Sequence, residues 1–238
     1  MNRNVTAGKQ LDATEDEMRS EYDFTAGERA RHAYRFGEVA EDESAVAAFW
    51  QSQGFEPQRF EKDECRSSKT PDLKLCQQDR LVAFCEVKTF QHDAWLDRAL
   101  EKAAPGELAG GLRPDPIYNR ISNAIHTAVQ QLEAVNPQHE QFNFLVMVNR
   151  DKAAKRDDLI SVLTGYWDPL HGVLEKTHTA YSEGRIREEK RRIDLYVWME
   201  YSRDGLLNAR SFFFGNEETR EKICGLIGID PKDVRVIQ

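Results

Sequence analysis

The chain has 238 residues, enough for one large domain or a core domain with additions. Its 40% hydrophobic and 31% charged content suits a water-soluble globular protein, and no run of about 18 apolar residues marks a membrane span. The formal charge of −8 speaks against a uniformly basic nucleic-acid binder, but residues 1–64 hold 8 basic and 15 acidic side chains. The remaining residues are nearly balanced, and local fields decide where a phosphate backbone can lie.

The opening residues, Met1 to Lys9, lack the apolar core of a secretion signal. The four cysteines (Cys65, Cys76, Cys85, Cys224) form no CxxC pair and no Cys/His zinc spacing. These features predict a reducing, cytoplasmic setting without structural disulfides.

Residues 1–37 read as a partly disordered N-terminal arm, polar and acidic over 1–20. Within it, Tyr22, Phe24, Tyr34 and Phe36 interleave with Arg29, Arg31 and Arg35. That patch reads first as an arm docked by its aromatics, and second as a partner or nucleic-acid contact. The domain proper is expected over 38–238. Glu41 to Phe55 predicts a helix: acids crowd its first turn, where they favour the positive end of the dipole. Val46, Phe49 and Trp50 form its apolar stripe, and Gly54 stops it. A first strand is expected over Gln58 to Cys65.

The next stretch, Lys69 to Lys88, predicts a hairpin. One strand starts after Pro71 and carries Asp72, a polar turn covers Gln77 to Arg80, and a second strand runs from Leu81 to Thr89. Side chains alternate along a strand, so Glu86 and Lys88 share a face and Val87 takes the other. With Asp72 brought alongside, two carboxylates and an ammonium converge. That set suits phosphodiester hydrolysis. Two acidic oxygens can hold Mg²⁺, with Mn²⁺ as a substitute, and the lysine can orient the attacking water or offset developing charge. The carbonyl of Val87 is a candidate further ligand.

Past Lys88, His92 and Asp93 read as exposed loop residues. A Pro/Gly-rich loop over 105–116 reads as an insertion over the site, with Lys102 and Arg113 available for phosphate. Pro116 to Val135 is the strongest predicted helix, through Ile117, Ile121, Ile125, Ala128, Val129 and Leu132. Arg120 and Asn123 share a face and are candidate phosphate contacts. Phe142 to Asn149 predicts a strand buried on both faces. Further elements are expected as a helix over Asp157 to Trp167, strands over Ile193 to Tyr201 and Ala209 to Phe214, a helix over Glu217 to Ile227, and a terminal strand within Asp233 to Gln238. Basic runs at 150–156 and 184–192 read as solvated segments or DNA-facing patches.

Pro71-Asp72 followed by Glu86-Val87-Lys88 resembles the signature of the PD-(D/E)XK nuclease superfamily. That superfamily includes restriction endonucleases, Holliday-junction resolvases, and repair and phage-defence nucleases. The resemblance implies an α/β, restriction-endonuclease-like αβββαβ core: a mixed central sheet flanked by helices, here with added C-terminal strands and helix. It implies metal-dependent cleavage of nucleic acid, with Asp72 and Glu86 on the metal and Lys88 at the attacking water. DNA is expected ahead of RNA, a choice that rests on the arm at 21–36, the loop at 105–116 and the basic runs near 150 and 190 and not on the hairpin. It also implies an extra acid near the start of the first helix, where Glu43 fits best and Glu41 second. A glutamine from the later helix should support the site, with Gln130 or Gln131 in that place. Cutting two strands takes two centres, so a homodimer is compatible with this reading, though no residue marks one. Two alternatives stand beside it: a catalytically inactive binding or scaffolding module on the same fold, and a coincidental surface ion pair on an unrelated α/β domain.

Overall fold

The computed structural model describes residues 41–61, 70–91, 102, 104, 117–151, 154–167, 175–176, 186, 188–201, 207–231 and 235–236. The chain divides at Gly37/Glu38, and every described residue belongs to the second unit, Glu38–Gln238. The arm at 1–37, the strand residues expected beyond 61, His92, Asp93 and the loop carrying Arg113 lie outside the described residues. Among the described residues, no helix is long and apolar enough to cross a membrane.

Helix α1 covers residues 41–52. It places Val46, Phe49 and Trp50 in the core and stops at Gly54, whose φ of +83° suits glycine. Phe55 then drops into the core at 3% exposure. The chain therefore enters β1 at once, as Glu56–Gln58, two residues earlier than the sequence predicts. Strands β2 (Leu73–Gln77) and β3 (Arg80–Phe90) form the hairpin. Its turn residues Gln78 and Asp79 both take positive φ, 50° and 60°. That conformation matches the twist of a two-residue hairpin turn. Asp72 sits just ahead of β2 rather than in it.

Helix α2 (Ile117–Val135) leads to β4 (Phe142–Asn149), so the elements with described bounds run αβββαβ to this point, with Lys102 also helical between β3 and α2. Helix α3 (Arg156–Thr164) is shorter than predicted. Gly165, at φ 76°, ends it by donating its N–H to Ser161 O at 2.9 Å. Tyr166–Trp167 becomes strand β5, paired with β6 (Glu175–Lys176). Strands β7 (Leu195–Tyr201) and β8 (Leu207–Phe214), helix α4 (Glu217–Ile227) and strand β9 (Arg235–Val236) complete the set.

Among the described residues, the main sheet has seven strands in the order β1-β2-β3-β4-β7-β8-β9. The β3/β4, β4/β7 and β8/β9 pairs are parallel and the others antiparallel, so the architecture is α/β with a mixed sheet flanked by helices. Both faces are covered. Phe144, Val146 and Val148 of β4 join Val46, Phe49 and Trp50 of α1 and Ile223 and Ile227 of α4. Leu145 and Met147 join Ile121, Ile125 and Leu132 of α2 and Leu159 and Val162 of α3. That double coverage explains why β4 reads as a continuous apolar run.

A polar knot closes the sheet at the start of β4. Asp194, 1% exposed, accepts from Asn143 N at 2.8 Å and Thr219 Oγ1 at 3.2 Å, and pairs with His139 Nε2 at 2.6 Å. The Asp194 carboxylate raises the His139 pKa above its ordinary value, against the effect of burial. Because the folded value is the higher one, this pair's stability is fully present below about pH 6.5 and is lost as pH rises through the folded pKa. Denaturant midpoints followed from pH 5.5 to 8.5 should fall more for the native protein than for His139→Gln. Parallel curves would show that the pair contributes nothing.

Candidate active site

The hairpin register builds the site. Leu73 at the start of β2 pairs with Cys85, so β3 runs on past the beginning of β2. Val87 N–H therefore has no strand partner on that edge, and Asp72 Oδ2 accepts it at 2.8 Å. The N–H and C=O of a strand residue leave on the same edge, which puts the Val87 carbonyl beside Asp72. Cys85 and Val87 pack toward α1, whereas Phe84 and Phe90 pack toward α2. By alternation Glu86 and Lys88 point toward α2.

Glu86 is 1% exposed. Its Oε1 accepts from Lys88 Nζ at 2.5 Å, and its Oε2 is buried with no hydrogen-bond partner. Lys88 Nζ also donates to Gln131 Oε1 at 2.8 Å, and Gln131 Nε2 donates to Thr70 O at 3.1 Å. A surface ion pair does not describe this arrangement, because one partner is completely enclosed. Burial, followed by the charge of Asp72, pushes Glu86 up to about 8 against the pull of Lys88. Burial likewise raises Asp72, opposed by the Val87 N–H and by Lys88. Glu43 is raised by burial and by Asp72, and it pairs with Arg59 Nη2 at 2.9 Å. Three acids thus share one field: burial raises all three, and the charge of Asp72 raises Glu86 and Glu43 further.

A divalent cation fits this donor set. The orphaned Glu86 Oε2 is a buried oxygen without a partner, and such atoms are costly unless something satisfies them. Among the described residues, no three His, Cys, Asp or Glu side chains form a ready-made cage. Mg²⁺ does not require one, since it commonly uses one or two carboxylates and keeps its waters.

The other sequence candidates separate in space. Gln130 is exposed and bonds His126 at 2.7 Å, so Gln131 takes the position beside Lys88. Arg120 is committed to the buried Asp151 at 2.8 Å and to Gln91 O at 3.3 Å, over the Phe90 ring. Its guanidinium, expected as a phosphate contact, is thus also engaged by a buried carboxylate and a backbone carbonyl. Asn123 stays exposed on α2, and its carbonyl accepts from Thr127 Oγ1. Glu41 is 75% exposed and lies 3.8 Å from Arg150, leaving Glu43 as the α1 acid nearest the site. The sequence reading missed Arg59 and the wholly buried Asp42. Asp42 accepts from Arg150, Thr89 Oγ1 at 2.8 Å and Tyr201 Oη at 2.7 Å. Burial and this carboxylate push the Tyr201 phenol up to about 12.

Replacing Gln131 by Ala removes the group that seats Lys88, and should cost roughly 10-fold or more of whatever reaction Lys88 serves. Gln130→Ala should change it less than twofold. Equal effects from the two substitutions in a rate assay would overturn this assignment.

Comparison with protein-family models, curated proteins and solved structures finds no match to this chain.

Proposed function

We propose that this protein is a divalent-metal-dependent hydrolase of phosphodiester bonds in nucleic acid. The observation that carries the reading is the enclosed Glu86 carboxylate. One of its oxygens is on Lys88 and the other is unpartnered beside Asp72. The PD-(D/E)XK resemblance of Pro71-Asp72 and Glu86-Val87-Lys88, together with the αβββαβ order, agrees with it. The same resemblance favours a restriction-endonuclease-like fold, and DNA is proposed ahead of RNA.

In this reading Asp72, Glu86 and the Val87 carbonyl hold Mg²⁺ or Mn²⁺. The bound ion supplies Lewis acidity toward the phosphate and a more acidic water. Lys88 places its ammonium where phosphate charge builds up. Its ammonium has three donors, and Glu86 and Gln131 take two of them. The third can reach a water or a phosphate oxygen. Glu43 adds negative charge beside Asp72, and Arg59 partly offsets it. A homodimer would supply the second centre needed for double-strand cleavage.

The test is to incubate purified protein with single-stranded DNA, duplex DNA and RNA, each with Mg²⁺, with Mn²⁺ and with EDTA. Metal-dependent cleavage, strongest on DNA, is expected. If there is no cleavage and no thermal shift with either metal, while nucleic acid still binds, the fold is a binding module and the hydrolase reading fails.

A further inference from the structure

Arg150 and Asp151 follow β4 directly, and each holds a different helix. The Arg150 guanidinium grips Asp42 of α1 through Nε at 3.1 and 3.2 Å and through Nη2 at 2.7 Å. Asp151 accepts from Arg120 of α2 at 2.8 Å. The backbone around Arg150 and Asp151 is held as well. Arg150 N donates to Phe90 O at 2.8 Å, Asp151 N donates to Asn149 Oδ1 at 3.0 Å, and Asn149 Nδ2 donates to Ala154 O at 2.9 Å.

The two grips lie on opposite faces of the sheet. Asp42 is fully buried and also takes hydroxyls from Thr89, the residue after Lys88, and from Tyr201 at the end of β7. The Arg150 guanidinium lies 4.3 Å from the centre of the Tyr201 ring. The C-terminal ends of the parallel strands β3, β4 and β7 are thereby tied to the start of α1. Asp42 is the immediate neighbour of Glu43, which shares the field of Asp72. Arg120 lies on the same helix as Gln131, which seats Lys88.

We propose that Arg150 is a positioning residue of the candidate site. Through Asp42 it fixes helix α1 so that Glu43 stands beside Asp72, and through the adjoining Asp151 the same turn fixes helix α2 so that Gln131 stands on Lys88. A bidentate arginine–carboxylate pair is directional, and it fixes the orientation of α1 where apolar packing alone permits small sliding. Asp42 and Tyr201 serve the same end. The catalytic part of this inference rests on the hydrolase reading, whereas the positioning part does not.

The experiment uses the full chain with Tyr201→Phe, Arg150→Gln, and each of these combined with Glu43→Gln. Tyr201→Phe removes one hydroxyl and keeps the ring, so it serves if Arg150→Gln does not fold. Amide exchange by NMR is the first readout. The Val87 N–H, which bonds Asp72, and residues 41–52 should exchange at least about tenfold faster, while Leu145 to Met147 of β4 keep their protection. Acceleration of the β4 core in step with Val87 would show general destabilisation, and no change at Val87 would show no positioning. Either result overturns the proposal.

Cleavage is the second readout. A drop in kcat of roughly 10-fold or more is expected, with KM for DNA nearly unchanged. The effect should be smaller when Glu43 is already Gln. A rise in KM with kcat intact would make Arg150 a substrate contact and overturn the proposal. If the native protein shows neither cleavage nor metal binding, the hydrolase reading fails, and the exchange result alone decides the positioning.

Discussion

Lys88→Ala and Asp72→Asn are each expected to lower metal-dependent cleavage by about 10²–10⁴-fold. The two differ in what else they change. Asp72→Asn removes a charge from the metal site, so it should also abolish the rise in melting temperature produced by Mn²⁺. Lys88→Ala leaves Asp72 and Glu86 in place, so the Mn²⁺ shift should persist while the reaction is lost. Circular dichroism should show both variants folded, since Asp72 precedes β2, Lys88 lies near the end of β3, and neither belongs to the apolar core. The mechanism fails if both variants cut at the native rate. The assignment of roles fails if the Mn²⁺ response disappears from Lys88→Ala and survives in Asp72→Asn.

The second large effect is on stability. Asp42→Ala should destabilise the domain by about 3–5 kcal/mol, the usual cost of removing one partner of a buried ion pair. The Asp42 carboxylate is fully enclosed and serves Arg150, Thr89 and Tyr201 together. Its loss leaves a guanidinium and two hydroxyls facing a cavity. Glu41→Ala, one residue earlier and 75% exposed, should change stability by no more than about 0.5 kcal/mol. Urea denaturation of the two variants gives the comparison. Similar midpoints for both would mean that the Asp42 cluster adds little net stability.

Arg150 holds Asp42, and the same strand end presents Asp151 to Arg120 on the other face of the sheet. Two consecutive residues of opposite charge, pointing to opposite sides of a strand end, can each hold a helix of complementary charge. The basic run at 150–156 is therefore partly consumed in structure. Arg150 is held by Asp42, and Arg156 pairs with its neighbour Asp157 at 3.3 Å.

Part of the site was within reach of pattern reading. In α1, Asp42 lies four residues before Val46 and seven before Phe49, on the apolar stripe itself. An acid at such a position is a signal for a buried partner, and crediting all the acids to the helix dipole hid it. In α2, Gln131 follows Ala124 by seven residues and Ala128 by three, beside the buried stripe. Gln130 follows His126 by four, on the polar face. Two small alanines next to Gln131 leave room for it to approach the sheet, so the choice between the two glutamines was legible from spacing.

By itself the sequence determined the order of elements through β4, the hairpin that brings Asp72 alongside Glu86 and Lys88, and the depth of burial of Phe142–Asn149. These follow from short-range rules: period-two alternation, 3.6-residue stripes, and turn or stop signals at Gly54 and Gln78-Asp79. Only the tertiary structure decided that Arg120 is bound to Asp151, that Arg150 is bound to Asp42, and that Glu86 Oε2 is buried without a partner. Those facts join residues 31 and 108 positions apart along the chain, or depend on how closely α2 covers one carboxylate. No local periodicity encodes which of several charges will meet when two helices close on opposite faces of a sheet. The pairing is set by where the strand ends deliver them.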